Sequence, residues 1–289
     1  MKETLRYLAG IVGPSGYGSK STAEQVAHGC SYLVDSQRLT AIITGATSGI
    51  GAETARAVAK RGVRVVIPAR DIKKAAELKE RIRKDNPNAE VILCEIDLSS
   101  LASVKRFCNE FLALGLPLNI LINNAGIFSQ KLEFSEDKFE MTFATNYLEG
   151  FEFEFECAEV YYSPIYDYNG TRAYAQSKLA TILHAKEIAK QLKAKNANVT
   201  INAVHPGIVK TGIFRAHKGF ITGKNLHILG ASTSCYVALS PQVEGMSGKY
   251  FVDCNESNCS VLANDESEAR RLWRQTRALI RRRLYQTPC

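Results

Sequence analysis

Four short apolar runs, LTAIITG (39–45), VRVVIPA (63–69), AEVILCEID (89–97) and LNILINNAG (118–126), alternate with three stretches of helical patterning. Those stretches are IGAETARAVAK, DIKKAAELKERIRKD and SSLASVKRFCNEFLA. The apolar runs are too uniform for strands with one face in water, so they read as strands buried on both faces. Strand, helix and strand at this spacing make right-handed βαβ units, and units in series make a parallel sheet. Ser99 predicts the N-cap of the third helix. Farther on, the pattern predicts a helix over 171–193, a strand VTINAVH (199–205), a helix from Gly230 to Leu239 and a strand KYFVD (249–253). No repeat or low-complexity linker divides the chain. The expected fold is α/β: a Rossmann-like, doubly wound parallel sheet in a single domain over 38–265, with an N-terminal arm (1–37) and a basic C-terminal helix (266–289).

The formal net charge is +8, but seven arginines and no acid lie in residues 269–289, leaving +1 for everything before them. The basic charge therefore describes a tail rather than a nucleic-acid-binding surface. A content of 45% hydrophobic and 23% charged residues suits a globular protein with an ample core. No run approaches the roughly 18 apolar residues that span a bilayer. The N-terminal stretch, rich in Ser and Gly and poor in acids, fits either an organellar targeting region or a mobile arm. The eight cysteines are scattered without a C-x-x-C pair, so they predict buried free thiols, with no metal site and no disulfide framework.

The first strand runs into T44-G-A-T-S-G-I-G51 and then a helix. Gly45, Gly49 and Gly51 let the backbone turn tightly and approach a pyrophosphate, with Thr47, Ser48 and Ile50 on the same turn. The helix that follows presents unpaired N–H groups and the positive end of its dipole. At the end of the second strand, an acid would accept from a ribose 2′-hydroxyl. Here Ala69 is followed by Arg70, whose guanidinium suits a 2′-phosphate and predicts NADP(H). Asp71 reads as the opening residue of the next helix, with competition for a ribose hydroxyl as the alternative. Asp97 and Leu98, ending the third strand, are expected beside the adenine.

Thr44 to Gly51, N123-N-A-G126, Asn146, Y174-x-x-x-K178 and H205-P-G207 followed by Thr211 occur in the order of the short-chain dehydrogenase/reductase family, which this sequence resembles over about residues 38–265. A carbonyl that receives hydride needs a proton at oxygen, and Tyr174 is placed to supply one. Lys178, one helical turn away, would favour the phenolate and lower the phenol pKa. The resemblance implies that Lys178 also holds the nicotinamide ribose and that Asn146 fixes a water beside it. It further implies that Asn123, Ala125 and Gly126 line the cofactor, and that Pro206, Gly207, Val209 and Thr211 bracket its carboxamide. The substrate class is a small carbonyl compound or the matching alcohol.

The stretches YNGTRAYAQSKLATILHAKEIAKQLK, VTINAVHPGIVKTGI and YVALSPQVEGMSGKYF are similar to the plant retinol-dehydrogenase-like branch of that family. That resemblance implies NADPH dependence, peripheral association with the chloroplast inner envelope membrane and its protein-import translocon, and calmodulin binding through the C-terminal part. A cytoplasmic location is the alternative. The tail has its own physics: Trp273, Ile280 and Leu284 make an apolar edge, flanked by Arg270, Arg271, Arg274, Arg277 and Arg281 to Arg283. Such a helix serves as a calmodulin target, as a membrane-surface helix, or simply as a helix docked on its own body.

Between Asn146 and Tyr174 the sequence departs from the family pattern. Tyr174 follows Asn146 by 28 residues, well short of the usual spacing, and the stretch opens with the Phe-Glu alternation of 151–156. Two accounts compete. Either AEVYYS (158–163) serves as a substitute strand, with Ser163 as the substrate-polarising donor 11 residues before Tyr174, or the strand is lost. Loss of that donor leaves the phosphate-binding turn intact but costs about 10² to 10³ in rate. A second shortening lies between Thr211 and Gly230.

Overall fold

The computed structural model describes residues 9–30, 39–148, 168–207 and 226–285. The stretches 151–156 and 158–163, with Ser163, and the positions Val209 and Thr211 lie outside the described residues. The fold is α/β and Rossmann-like. By contact density the chain divides into two compact units: Met1–Glu95, Leu116–Asn124 and Val204–Ser257 form the first, and Ile96–Gly115, Ala125–Ala203 and Asn258–Cys289 the second.

The first unit holds β1 (Thr40–Ile43), β2 (Arg64–Ala69), β3 (Val91–Glu95) and β4 (Ile120–Ile122) in a parallel sheet of order β3-β2-β1-β4. Ile42 pairs with Val66 on one side and Leu121 on the other. Helices α1 (Ala23–Gly29), α2 (Gly49–Lys60) and α3 (Ile72–Asp85) belong to the same unit. As its sequence implied, β1 is wholly buried, with β2 on one side and β4 on the other. The equally apolar β4 is only half-buried. It is the edge of this sheet among the described residues, so uniform hydrophobicity did not guarantee burial on both faces.

Ahead of β1, the described residues 9–30 pack within this unit. Thr22 and Gln25 close a capping box at the start of α1, whose Ala23, Val26 and Ala27 are buried. Tyr17 meets Tyr236 edge-on, with ring centroids 6.0 Å apart. The Asn255 side chain donates to the Tyr17 carbonyl at 3.0 Å and accepts from the Ser15 N–H at 3.0 Å. Arg56 on α2 pairs with Glu53 at 2.7 Å and with Asp85 of α3 at 3.1 Å.

Downstream, the strand expected over 199–205 is reduced to β5 (Ala203–His205). The following long helix begins at Leu226, one turn ahead of the expected Gly230. β6 (Tyr250–Val252) is half of a hairpin with the antiparallel β7 (Asn255–Ser257), which the sequence did not announce. Its turn residues, Asp253 and Cys254, take φ of +51° and +64° without a glycine. Donation from the Cys254 N–H to Thr233 Oγ1 at 3.2 Å helps to hold that turn.

The second unit contains α4 (Leu101–Ala113), a short helix Met141–Phe143 running into a π-helical turn Ala144–Leu148, and α5 (Gly170–Ala194). In chain order the helix Leu226–Leu239 of the first unit is α6, and Glu266–Tyr285 of the second is α7. Ser100, rather than Ser99, caps α4 by accepting from the Ser103 N–H. The Ser99 hydroxyl is committed instead to Asp97 Oδ1, at 2.7 Å. The core of this unit joins Leu101, Phe139, Tyr147, Leu148 and Ala180 to Ile280 of α7, with Trp273 and Leu284 packed against it. The Tyr147 hydroxyl meets Thr276 Oγ1 at 3.1 Å in a fully buried position. The apolar edge of the tail is thus spent on its own unit. No helix among the described residues is long and apolar enough to cross a membrane.

Docking of α7 predicts an asymmetry between its faces. Ile280→Ala should cost about 2–4 kcal/mol in urea unfolding, whereas the exposed Arg274→Ala should change stability by about 0.5 kcal/mol or less. Trp273, the chain's single tryptophan, reports the transition by fluorescence. Equal effects from the two variants would contradict a docked helix.

Candidate active site

In the first unit the residues that matter cluster at the ends of β1 and β4. Gly45 and Gly49 take φ of +62° and +59°, so the turn between β1 and α2 uses backbone conformations that L side chains rarely adopt. Gly51 is required for a different reason. A Cβ there would lie 2.3 Å from Asn124 Nδ2 and 2.7 Å from the Gly45 carbonyl oxygen. Asn124 is the clamp of the turn: its Nδ2 donates to the Thr44 carbonyl at 2.9 Å, and its N–H donates to Thr44 Oγ1 at 3.1 Å. Ser48 stands at the N-cap of α2 with its hydroxyl making no capping bond, and the first turn of α2 carries no acid. The helix N-terminus is therefore open to an anion. Thr47 and Ile50 lie half-buried on the same turn.

At the end of β2, Arg70 is exposed. Asp71 caps α3 by accepting from the Lys74 N–H at 3.1 Å, and its carboxylate also meets Lys74 Nζ at 2.8 Å. Those bonds, the Lys74 side chain first, hold its pKa below the usual aspartate value. Asp71 opens the helix, as its sequence position suggested. His205 Nδ1 accepts from the Gly207 N–H at 2.9 Å, and Gly207 has φ of +77°, which sets the chain direction after Pro206. Asn123 is exposed at the end of β4.

The second unit assembles the proton-handling residues. Tyr174 and Lys178 lie one turn apart on α5, with the Lys178 Nζ 5.6 Å from the centre of the Tyr174 ring. Phe128 packs edge-on against the same ring at 5.5 Å. Asn146 sits within the π-helical turn, a local unwinding that often marks functional positions. Its Oδ1 accepts from the Ile127 N–H at 2.7 Å, and its Nδ2 donates to the Ile127 carbonyl at 3.0 Å and to Ser177 Oγ at 3.0 Å. Ser177 in turn donates to the Tyr174 carbonyl at 2.8 Å. Gly126 makes room for this cluster: a Cβ there would lie 3.3 Å from Asn146 Oδ1 and 3.4 Å from Lys178 Nζ. Gly126, Asn146, Tyr174 and Lys178 are therefore brought together, and Ala125 adjoins them in sequence.

One outcome differs from the sequence reading. Burial raises the Tyr174 pKa above its ordinary value of 10.0, the opposite of the lowering expected from Lys178. Asp97 and Leu98 are half-buried, and the Asp97 carboxylate accepts from the Ser99 N–H at 2.9 Å, shaping the start of α4. Asn124 and Ser177 escaped the sequence reading. Both sit inside motifs whose neighbours drew attention, and both hold backbone, Asn124 that of Thr44 and Ser177 that of Tyr174.

The family description "short chain dehydrogenase" matches residues 39–155. The chain is 42% identical over 314 aligned residues to "Short-chain dehydrogenase TIC 32 B, chloroplastic" of Brassica napus, covering 94% of this chain and 96% of that protein. That alignment is longer than the 289 residues of this chain, so the relative carries residues that this chain lacks. Retinol dehydrogenase 14 of Homo sapiens is 35% identical over 283 residues, covering 81% of this chain and 84% of its own. Among solved structures, an uncharacterised protein from Mycobacterium paratuberculosis superposes with a TM-score of 0.69 at 26% identity, covering 88% of this chain and 96% of its own. A Serratia marcescens short-chain dehydrogenase/reductase mutant shares the fold, with a TM-score of 0.56 at 21% identity, over 74% of this chain and 96% of its own.

The glycines of the first turn predict separable effects. Gly51→Ala should disrupt the Asn124 clamp and lower the melting temperature markedly, because two of its close neighbours are backbone or anchored amide atoms. Gly49→Ala has open space for its Cβ and should cost only about 1–2 kcal/mol, the strain of its left-handed backbone. Thermal unfolding of the two variants checks the order, and a benign Gly51→Ala would contradict the clamp.

Proposed function

The chain belongs to the short-chain dehydrogenase family, and from that premise we propose that it is an NADPH-dependent reductase of a small carbonyl compound. The single observation that carries this reading is the cluster in which Gly126, Asn146 and Ser177 hold the Tyr174–Lys178 turn of α5. The first unit offers what a dinucleotide's phosphates need: an uncapped helix N-terminus, no acid in the first helical turn, and glycines where a side chain would intrude. The cofactor, when bound, supplies the hydride. Gly45, Thr47, Ser48, Gly49, Ile50 and Gly51 would hold its phosphates.

The choice of NADPH over NADH rests on Arg70 and Asp71 together. Arg70 is exposed and cationic, while the neighbouring carboxylate is engaged as the α3 cap and with Lys74. A 2′-phosphate thus gains a guanidinium partner without a competing acid. Tyr174 donates the proton to the carbonyl oxygen, and Lys178 stabilises the phenolate left behind. Asn146 keeps the π-helical turn against α5, so it acts by positioning. The chloroplastic names of the Brassica napus relatives support a chloroplast location, and the branch resemblance supports attachment to the inner envelope translocon. Calmodulin could use α7 only after its Trp273, Ile280 and Leu284 edge left the core against which it packs.

A second reading, a binding subunit with little catalysis, draws on the short connection between Asn146 and Tyr174. NADPH at about 100 times its dissociation constant should stabilise the chain by about 2.7 kcal/mol, with NADH giving less. Turnover of an aldehyde or ketone panel that disappears in Tyr174→Phe establishes the reductase. A thermal shift without any turnover would sink it in favour of the binding subunit, and no shift with either cofactor would sink both.

The raised Tyr174 pKa sets the sign of the pH dependence. Burial penalises the phenolate, so the proton-donating form persists to above pH 10. Reduction should be nearly flat between about pH 6 and pH 9, while alcohol oxidation, which needs the phenolate, should rise across that range. Initial rates in both directions test this, and a reduction rate falling near pH 7 would contradict it.

A further inference from the structure

α5 and the turn before α7 meet at a lysine and a cysteine that the proposed catalysis does not use. Lys186 stands on α5, about two turns beyond Lys178. Its Nζ lies 3.1 Å from Sγ of Cys259, which is 73 residues away in the chain. Asn264 completes the group: its Oδ1 accepts from Lys186 Nζ and lies 3.3 Å from Cys259 Sγ. Asn264 is held in turn, because its Nδ2 donates to the Ser260 carbonyl at 3.4 Å. The 3₁₀ turn Val261–Asn264 that follows Cys259 is capped by Ser260, which accepts from the Ala263 N–H. All of these residues belong to the second unit.

Cys259 differs from the buried thiols of the chain. Cys30, Cys235 and Cys254 are buried in the first unit, where burial pushes each thiol pKa up and keeps it unreactive. Cys259 is only half-buried, so small oxidants reach it, and an amine nitrogen is in contact with its sulfur. A nitrogen and a sulfur at this separation are too far apart to share a bond. One oxygen atom between them joins both with little movement of either side chain.

We propose that Lys186 and Cys259 form an oxygen-bridged covalent crosslink, Nζ–O–Sγ, with dioxygen as the oxidant, and that this bond latches the entry of α7 to α5. The neutral amine, the thiol and one dioxygen give the bridge and one water. The N–O and O–S bonds form, while the O–O bond, one N–H and the S–H break. Nitrogen and sulfur each lose two electrons, and dioxygen takes all four. The thiol hydrogen and one amine hydrogen leave in the water, the ammonium proton having first passed to solvent. Two equivalents of a dithiol reverse the step, restoring thiol, amine and a second water. Asn264 acts by positioning, since taking one N–H of Lys186 fixes where Nζ sits beside the sulfur. In the reduced chain α7 is held by the packing of Trp273, Ile280 and Leu284 and by the Lys190–Glu266 pair at 2.5 Å. The crosslink bonds its entry turn to the helix that carries Tyr174 and Lys178. This goes beyond the reductase reading and does not depend on it.

Peptide mapping by mass spectrometry, on the full chain held in air and again under dithiothreitol, tests the idea. The oxidised chain should yield a pair of peptides joined through Lys186 and Cys259, about 14 Da heavier than their sum. Dithiothreitol should separate them. Cys259→Ser and Lys186→Arg should each abolish the joined pair, and both variants should fold, since neither residue is fully buried. Asn264→Ala keeps both reacting atoms and should lower the yield. The crosslinked chain should melt about 5 °C or more above the reduced one, because the bond ties positions 73 residues apart in the unfolded state. Cys259→Ser should show no such difference between air and dithiothreitol. Oxidation of Cys259 alone to a sulfinic acid, with Lys186 left free, would overturn the proposal. So would a disulfide from Cys259, or a crosslinked chain that melts as the reduced one does.

Discussion

The side chain of Asn124 ties the end of β4 to the end of β1, and the phosphate-binding turn depends on that tie. One amide spans the Thr44 and Gly45 carbonyls while the Asn124 N–H takes the Thr44 hydroxyl. The parallel pairing of β1 with β4 brings these groups level, because Ile43 faces Ile122. With the turn clamped, Gly51 must pass close to it, which leaves no room for a side chain. The left-handed backbone at Gly45 and Gly49 then follows from the need to turn from strand to helix within a few residues. A backbone-on-backbone approach of this kind is what lets main-chain N–H groups reach an anion.

Asn146 does the corresponding work in the second unit. Its amide satisfies both backbone groups of Ile127 and reaches Ser177, which is fully buried on α5. A side chain with each polar end engaged, in a largely apolar surrounding, fixes geometry better than a single contact can. The π-helical turn carries Asn146, whose amide reaches Ile127 and Ser177 together. Within the same unit, α7 supplies Ile280 and Thr276 to the core, with Thr276 meeting Tyr147. Docking of the tail and placement of the Tyr174–Lys178 helix therefore rest on one shared core.

Much of this was legible in the residues themselves. The four apolar runs and three helical patterns appear as β1 to β4 and α2 to α4, and Asp71 opens α3 as its position suggested. Legibility failed where a neighbour, not the local pattern, decides the outcome. β4 is as apolar as β1, yet half-buried, because burial depends on what lies beside a strand and not on its own composition. Ser99 and Ser100 are equally good caps in isolation, and the choice falls to Ser100 because Asp97 takes the Ser99 hydroxyl. The β6–β7 hairpin lacked the usual Asn-Gly or Asp-Gly signal, since its strained turn is held by Thr233 of α6.

The residue order by itself determined the α/β class, the position of the phosphate-binding turn and the spacing of Tyr174 and Lys178, because each is set by periodicities of a few residues. It also determined that the tail has one apolar and one basic face. Only the tertiary structure decided which face the tail shows to water, since the Trp273–Ile280–Leu284 edge would serve equally well in a partner's groove or in its own core. Only it decided that burial pushes the Tyr174 phenol pKa up, because desolvation comes from packing by residues distant in the chain. Short-range pattern is written in sequence; the identity of what packs against it is a property of the folded chain.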